Sequence, residues 1–178
     1  MSTPFVDPRR NEPQAHANLA LRAAWKRSTP TPRAGRETPR PDPFRRLEDR
    51  QFLEMGSAFG AQGGWVSGDE MSRRLRRHWD QPISVLASWV TKREIVNIAR
   101  NSGLLIPVFQ FGSQDLRIRP VVQAVLAELG SVFDDWEIAV WFAQPNAWLH
   151  QQRPLDLAAR DDDAVIHAAR ADRFIAHA

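Results

Sequence analysis

Six consecutive apolar residues, Ile138 to Ala143, constrain this chain more than any other feature. Trp136, Trp141, Phe142 and Trp148 crowd the same neighbourhood, four aromatic side chains within thirteen residues. A helix that is apolar around its whole circumference needs neighbouring elements, or a partner, to cover every side. Asp134 and Asp135 stand just before the run, where carboxylates accept from the free amides of a first turn and suit the positive end of its dipole. Pro145-Asn146 then stops it. The rest of the chain must supply a shell for a helix over about 134 to 144.

Composition narrows what that shell can be. The 178 residues contain no cysteine, which excludes disulfides and thiolate metal sites. No apolar run has the length of a membrane span. The amino terminus combines charge and proline without an apolar core segment, so no signal peptide is expected. These features predict a soluble cytoplasmic protein with no membrane partner. The formal charge of +3 conceals a gradient. Residues 1–50 hold eleven Lys/Arg against six Asp/Glu, residues 51–110 seven against five, and residues 111–178 six against ten. A basic front and an acidic back admit two readings: a nucleic-acid-facing half with a different partner for the other half, or a basic tail on a neutral domain.

Eight of the thirteen prolines bound or fill residues 1 to 42. Apolar residues are sparse there apart from Leu19 to Trp25, so the segment cannot bury enough surface to offset its ordering entropy. A disordered Pro/Arg-rich arm is predicted, with a short helix over 15–26. From Phe44, the residues Leu47, Phe52, Met55 and Phe59 recur at loose helical spacing, and Gly60, Gly63 and Gly64 end that helix. Ser67 and Glu70 have the spacing of a capping box. Met71, Leu75 and Trp79 then form an inward stripe. Arg73, Arg74, Arg76 and Arg77 lie off it, either as cations suited to a helix end or as phosphate contacts. Pro82 opens a third helix, in which Ile83, Leu86 and Val90 are expected to face inward. Ser84, Ser88, Thr91 and Lys92 share another face, where small hydroxyl side chains beside a lysine allow close approach to a DNA groove. Capped helix, short break, second helix is the helix-turn-helix order, though many small helical domains share it and bind no DNA.

Glu94 to Arg100 is rich in β-branched residues and leads through Asn101-Ser102-Gly103 to the apolar run Leu104–Phe111. A hairpin over 94–111 is predicted, with Pro107 pushing its second strand to a sheet edge. Continued helix over 92–101 is the competing reading. Pro120 opens the next helix, with Val121, Val122, Val125, Leu126 and Leu129 inward and Gly130 at its end. A short helix follows from Pro154, and Asp161–Asp163 start the final helix, whose apolar surface is Val165, Ile166, Ala169, Phe174 and Ile175. Those three aspartates read as capping residues rather than a metal site. The fold class is thus mainly α: a helix-turn-helix-like half with a β-hairpin (43–112), then a small helical domain (113–178). No glycine-rich phosphate loop, nucleophile elbow or zinc spacing occurs, so no enzyme, cofactor or metal is expected.

Pro107-Val-Phe-Gln-Phe111, Arg119-Pro120, Pro145-Asn146-Ala-Trp-Leu149, Arg153-Pro-Leu-Asp-Leu157 and Val165-Ile-His-Ala-Ala169 together resemble the toxin-binding domain of Xre/MbcA/ParS-type antitoxins. The resemblance covers about residues 65–178 and is best from 119 onward. It implies a bacterial, helical, usually dimeric protein. Such a protein joins a DNA-binding helix-turn-helix to a domain that covers the active site of a toxin, often a RES-domain enzyme that consumes NAD, and commonly represses its own operon. Asn146, Leu149, Pro154, Leu155 and Leu157 fall on the motif. Trp148, Arg153, Arg170, Arg173 and Phe174 complete the toxin-facing set under this reading, with Trp148 either an interface anchor or core. The chain departs from the pattern where His150-Gln151-Gln152 replaces the loop glycine. The alternative is a stand-alone DNA-binding transcriptional regulator whose C-terminal domain serves dimerisation.

Overall fold

The structure is a computed structural model and describes residues 43–100 and 103–178. The arm over 1–42, with its expected helix, lies outside the described residues. Among the described residues the fold is mainly helical, with one small antiparallel sheet. Its elements are α1 (Pro43–Gly60), β1 (Trp65–Ser67), α2 (Gly68–Leu75), α3 (Pro82–Thr91), β2 (Ile98–Arg100), β3 (Gly103–Pro107), a 3-10 turn (Val108–Gln110), α4 (Pro120–Leu129), α5 (Asp135–Ala143), a second 3-10 turn (Ala147–Leu149), α6 (Pro154–Leu157) and α7 (Asp162–His177).

The hairpin exists but is shorter than 94–111. Its strands pair from Ile98↔Leu105 to Arg100↔Gly103. Residues 94–97 are neither strand nor helix, because Arg93 takes φ 54 and ends the helical path. β3 is not an edge strand: the order is β1-β3-β2, and β1 pairs with it from Trp65↔Pro107 to Ser67↔Leu105. Pro107 is tolerated in a central strand because it is the last residue of the ladder, where no further amide is required. Beyond it, Val108 begins a 3-10 turn and donates its amide to Gly64 O at 2.9 Å.

Two apolar clusters hold the fold. The smaller one joins Val66, Met71, Leu75, Leu86, Ile95, Ile106 and Phe111, so it locks α2 and α3 onto the sheet. The larger one runs from Met55 and Phe59 of α1, through Phe109, to α4, α5 and α7. Phe109 is its pivot, with ring centroids 5.0 Å from Phe59 and 4.9 Å from Phe142. This larger cluster joins residues on both sides of position 112. The inward set of α4 is buried as predicted: Val121, Val122, Val125, Leu126 and Leu129.

Gln110 is the polar keystone and is fully buried. Its Oε1 accepts from Val96 N at 2.7 Å, and its Nε2 donates to Val96 O and to Pro107 O, both at 2.9 Å. One carboxamide thus replaces the ladder partners that the irregular 94–97 segment lacks, as buried backbone groups require. The α5 run is less enclosed than its composition suggests. Ile138, Ala139, Phe142 and Ala143 are buried, while Val140 and Trp141 are half-exposed. The capping box predicted at Ser67/Glu70 is only half formed there. It is complete instead at α5, where Asp134 accepts from Glu137 N and Glu137 returns to Asp134 N, each at 2.8 Å.

Candidate functional site

Two surfaces carry the residues singled out from the sequence. The first follows from α2 and α3. Ser67 Oγ accepts from Glu70 N at 3.2 Å and starts α2. The Glu70 carboxylate, rather than returning to the cap, receives Arg73 (2.7 Å) and Arg74 (3.0 Å) one turn on. Those two guanidinium groups hold the Glu70 carboxyl below the usual carboxylate range. Arg73 and Arg74 are therefore half-neutralised, whereas Arg76 and Arg77 are exposed and make no ion pair among the described residues.

On α3, Ser84, Thr91 and Lys92 are exposed and Ser88 is half-buried. Leu86 points into the smaller core as expected. Ile83 does not; it is 66% exposed. It sits in the first turn of α3, where no element of the described fold reaches it, so the inward stripe begins at Leu86. Immediately after Lys92, Arg93 reaches across the surface to the α4–α5 connection while staying exposed. It donates to Gly130 O (2.7 Å) and Phe133 O (3.0 Å) and pairs with Asp135 (3.1 Å). The C-terminal end of α3 is thereby fixed to the α4–α5 connection, a contact with no local signal in the sequence.

The second surface is built around Asp172 on α7. Its carboxylate accepts Trp141 Nε1 (2.7 Å) and Asn146 Nδ2 (2.8 Å) on Oδ2, and Trp148 Nε1 (3.0 Å) on Oδ1. Asn146 also caps the second 3-10 turn, its Oδ1 accepting from Trp148 N at 2.8 Å. Trp148 is nevertheless 51% exposed, which decides between anchor and core in favour of the surface. Phe174, two residues beyond Asp172, is 76% exposed. Asp172 itself drew no attention in the sequence; only the fold brings three distant donors to it.

The remaining toxin-facing candidates divide. Asn146, Leu149 and Leu155 are buried and support the surface from beneath. Arg153 is half-buried and held by Asp156 at 2.6 Å, a contact that pushes its guanidinium pKa up. Arg170 pairs with Glu128 Oε1 at 2.8 Å. Arg173 stands 2.9 Å from Glu128 Oε2, as an ion pair out of hydrogen-bond line. Both arginines keep about half of their side chains in solvent. After Leu149, His150 (φ 53) and Gln151 (φ 64) are both left-handed.

No group of His, Asp and Glu able to hold a metal occurs among the described residues. Among them, too, no helix is long and apolar enough to cross a membrane. Comparison with models of protein families, with curated proteins and with solved structures finds no match for this chain.

Proposed function

We propose that this chain is an antitoxin-like protein that binds and neutralises a cognate toxin, of RES type by resemblance, and binds DNA to repress its own operon. It acts in the cytoplasm as a binding protein rather than an enzyme. The observation that carries the first half is Trp148. A tryptophan between the motif residues Asn146 and Leu149 is half-exposed, fixed by its indole N–H to Asp172 and accompanied by an exposed Phe174. An immobilised aromatic costs little further entropy on binding, and tryptophans dominate interface hot spots.

The second half rests on α2, α3 and the hairpin read as a helix-turn-helix with a short wing. Arg76 and Lys92, exposed and without an ion pair among the described residues, meet phosphates, and Ser84, Ser88 and Thr91 line the groove-facing helix. A homodimer would place two such helices on adjacent half-sites.

Co-expression with the neighbouring open reading frames tests this reading. A stoichiometric partner, toxic when expressed alone and released by Trp148→Ala or Phe174→Ala, is the expected result. A clean homo-oligomer with no partner overturns the antitoxin half and leaves a stand-alone regulator. For DNA, replacing Arg76 and Lys92 by alanine should flatten the salt dependence by about two in log–log slope. An unchanged slope would remove that surface from the DNA contact.

A further inference from the structure

The four arginines in and just after α2 do not share one surface. Arg74 and Arg77 line a cleft of about 720 Å³ together with His78 and with Arg119 from the start of α4, whereas Arg73 and Arg76 are outside it. We infer that this cleft is a binding site for a small organic phosphate, with the phosphate on the guanidinium groups and an apolar or aromatic moiety against the apolar lining residues.

Charge selects the ligand class. The three arginines face one lining carboxylate, Glu70, so the cleft carries 3 − 1 = +2 with His78 neutral. Glu70 is already taken on both oxygens, Oε1 by Arg74 and Oε2 by Arg73. Arg74 spends only Nε on that contact, which leaves both its terminal nitrogens as donors. Arg77 and His78 have no side-chain partner among the described residues. Arg119 donates Nη2 to Ala158 O at 2.9 Å and Nη1 to Phe109 O at 3.4 Å, so its guanidinium is oriented before any ligand arrives and contributes mainly charge, leaving Arg74 and Arg77 as the chief free donors. Unspent guanidinium donors are suited to phosphate oxygens.

The cleft has room for more than a bare ion. The volume falls in the range of small-molecule sites, about 300–1,000 Å³. Val108, Phe111 and Leu116 supply an apolar wall, and Ser113 and Gln114 supply polar groups at the rim. That rim is a closed turn. Gly112 N donates to Arg117 O at 2.8 Å, Phe111 bridges Ile118, and Arg119 N donates to Gln110 O at 2.9 Å. The site is independent of toxin and DNA binding by the chain.

Titration calorimetry on the full chain with ADP, adenosine and pyrophosphate, in about 0.15 M salt, tests the inference. The expected result is saturable binding of ADP, weaker binding of pyrophosphate and none of adenosine. Arg77→Ala should weaken ADP by about tenfold or more, the value of one charge-assisted contact, while Arg76→Ala leaves it unchanged. Circular dichroism would show that both variants, altered at exposed residues, remain folded. No heat with ADP or pyrophosphate up to about 1 mM overturns the proposal. Equal losses in Arg76→Ala and Arg77→Ala also overturn it, since they mean diffuse surface charge. So does displacement of ADP by a short DNA duplex, which assigns the cleft to the nucleic-acid backbone.

Discussion

The indole nitrogen of Trp148 donates to Asp172 Oδ1 at 3.0 Å while half of the Trp148 side chain faces solvent. Asp172 also accepts from Trp141 and Asn146. One carboxylate therefore ties the second 3-10 turn and α5 to α7. Asp172→Ala strands those donors, and each buried orphan costs about 1–3 kcal/mol. A lowered urea midpoint with unchanged m-value is expected, together with greater rotational freedom of Trp148 in fluorescence anisotropy. A midpoint within error of the parent would show that the three contacts are replaceable by water.

Trp148→Ala and Phe174→Ala separate folding from binding. Exposed positions usually change stability by no more than about 0.5 kcal/mol. Phe174, with the larger exposure, should meet that limit. Trp148 loses one solvent-accessible hydrogen bond and should cost about 1 kcal/mol. If these residues anchor a partner, each should cost its complex about 2 kcal/mol or more, measured as dissociation rate.

Gln110→Leu should be far more damaging than any surface change. The leucine fits the volume but leaves Val96 N, Val96 O and Pro107 O without their partner. At about 1–3 kcal/mol for each buried orphan, the loss is a large share of the stability of a small domain. Thermal and urea unfolding measure it, and a loss under about 1 kcal/mol would mean that water enters the 94–97 segment.

His150 and Gln151 adopt left-handed backbone in succession. A non-glycine residue pays about 1–2 kcal/mol for that conformation, against which glycine loses about 0.5–1 kcal/mol of chain entropy. Gln151→Gly should therefore raise stability by up to about 1 kcal/mol, read as a higher melting temperature. A drop would mean that the Gln151 side chain itself holds the turn.

Glu70 is held below its ordinary pKa by hydrogen bonds from Arg73 and Arg74. A depressed folded pKa means that its contribution is present above the unfolded value and fades as pH falls through the folded one. Glu70→Gln should therefore narrow the stability difference from the parent on acidification. A carbon-detected titration of Glu70 gives the direction directly, and an apparent pKa at or above the usual carboxylate range would contradict it.

Much of the helical content was legible because its signals are local. Pro82, Pro120 and Pro154 each stand at the first position of a helix. Asp134 caps α5, and the α4 stripe is buried as its period requires. The errors share a cause. Ile83 fitted an inward period, but period does not say whether another element arrives to cover it. Leu104–Phe111 read as an edge strand because Pro107 lacks an amide; the arrival of β1 made the strand central, with the proline at its end. Asn146, Leu149 and Leu155 lay on a recognisable motif, yet a motif does not distinguish residues that form a surface from those that support it.

The sequence by itself determined where helices start and stop, since capping, proline placement and apolar spacing act within a few residues. It also determined that the 134–144 helix would be mostly enclosed. Only the tertiary structure decided which polar groups meet. Gln110 reaches back to Val96, Arg93 reaches forward to Gly130, Phe133 and Asp135, and Asp172 collects donors from 141, 146 and 148. Each of these contacts satisfies a group that local structure left unpaired, and its partner depends on which elements the apolar core has brought together.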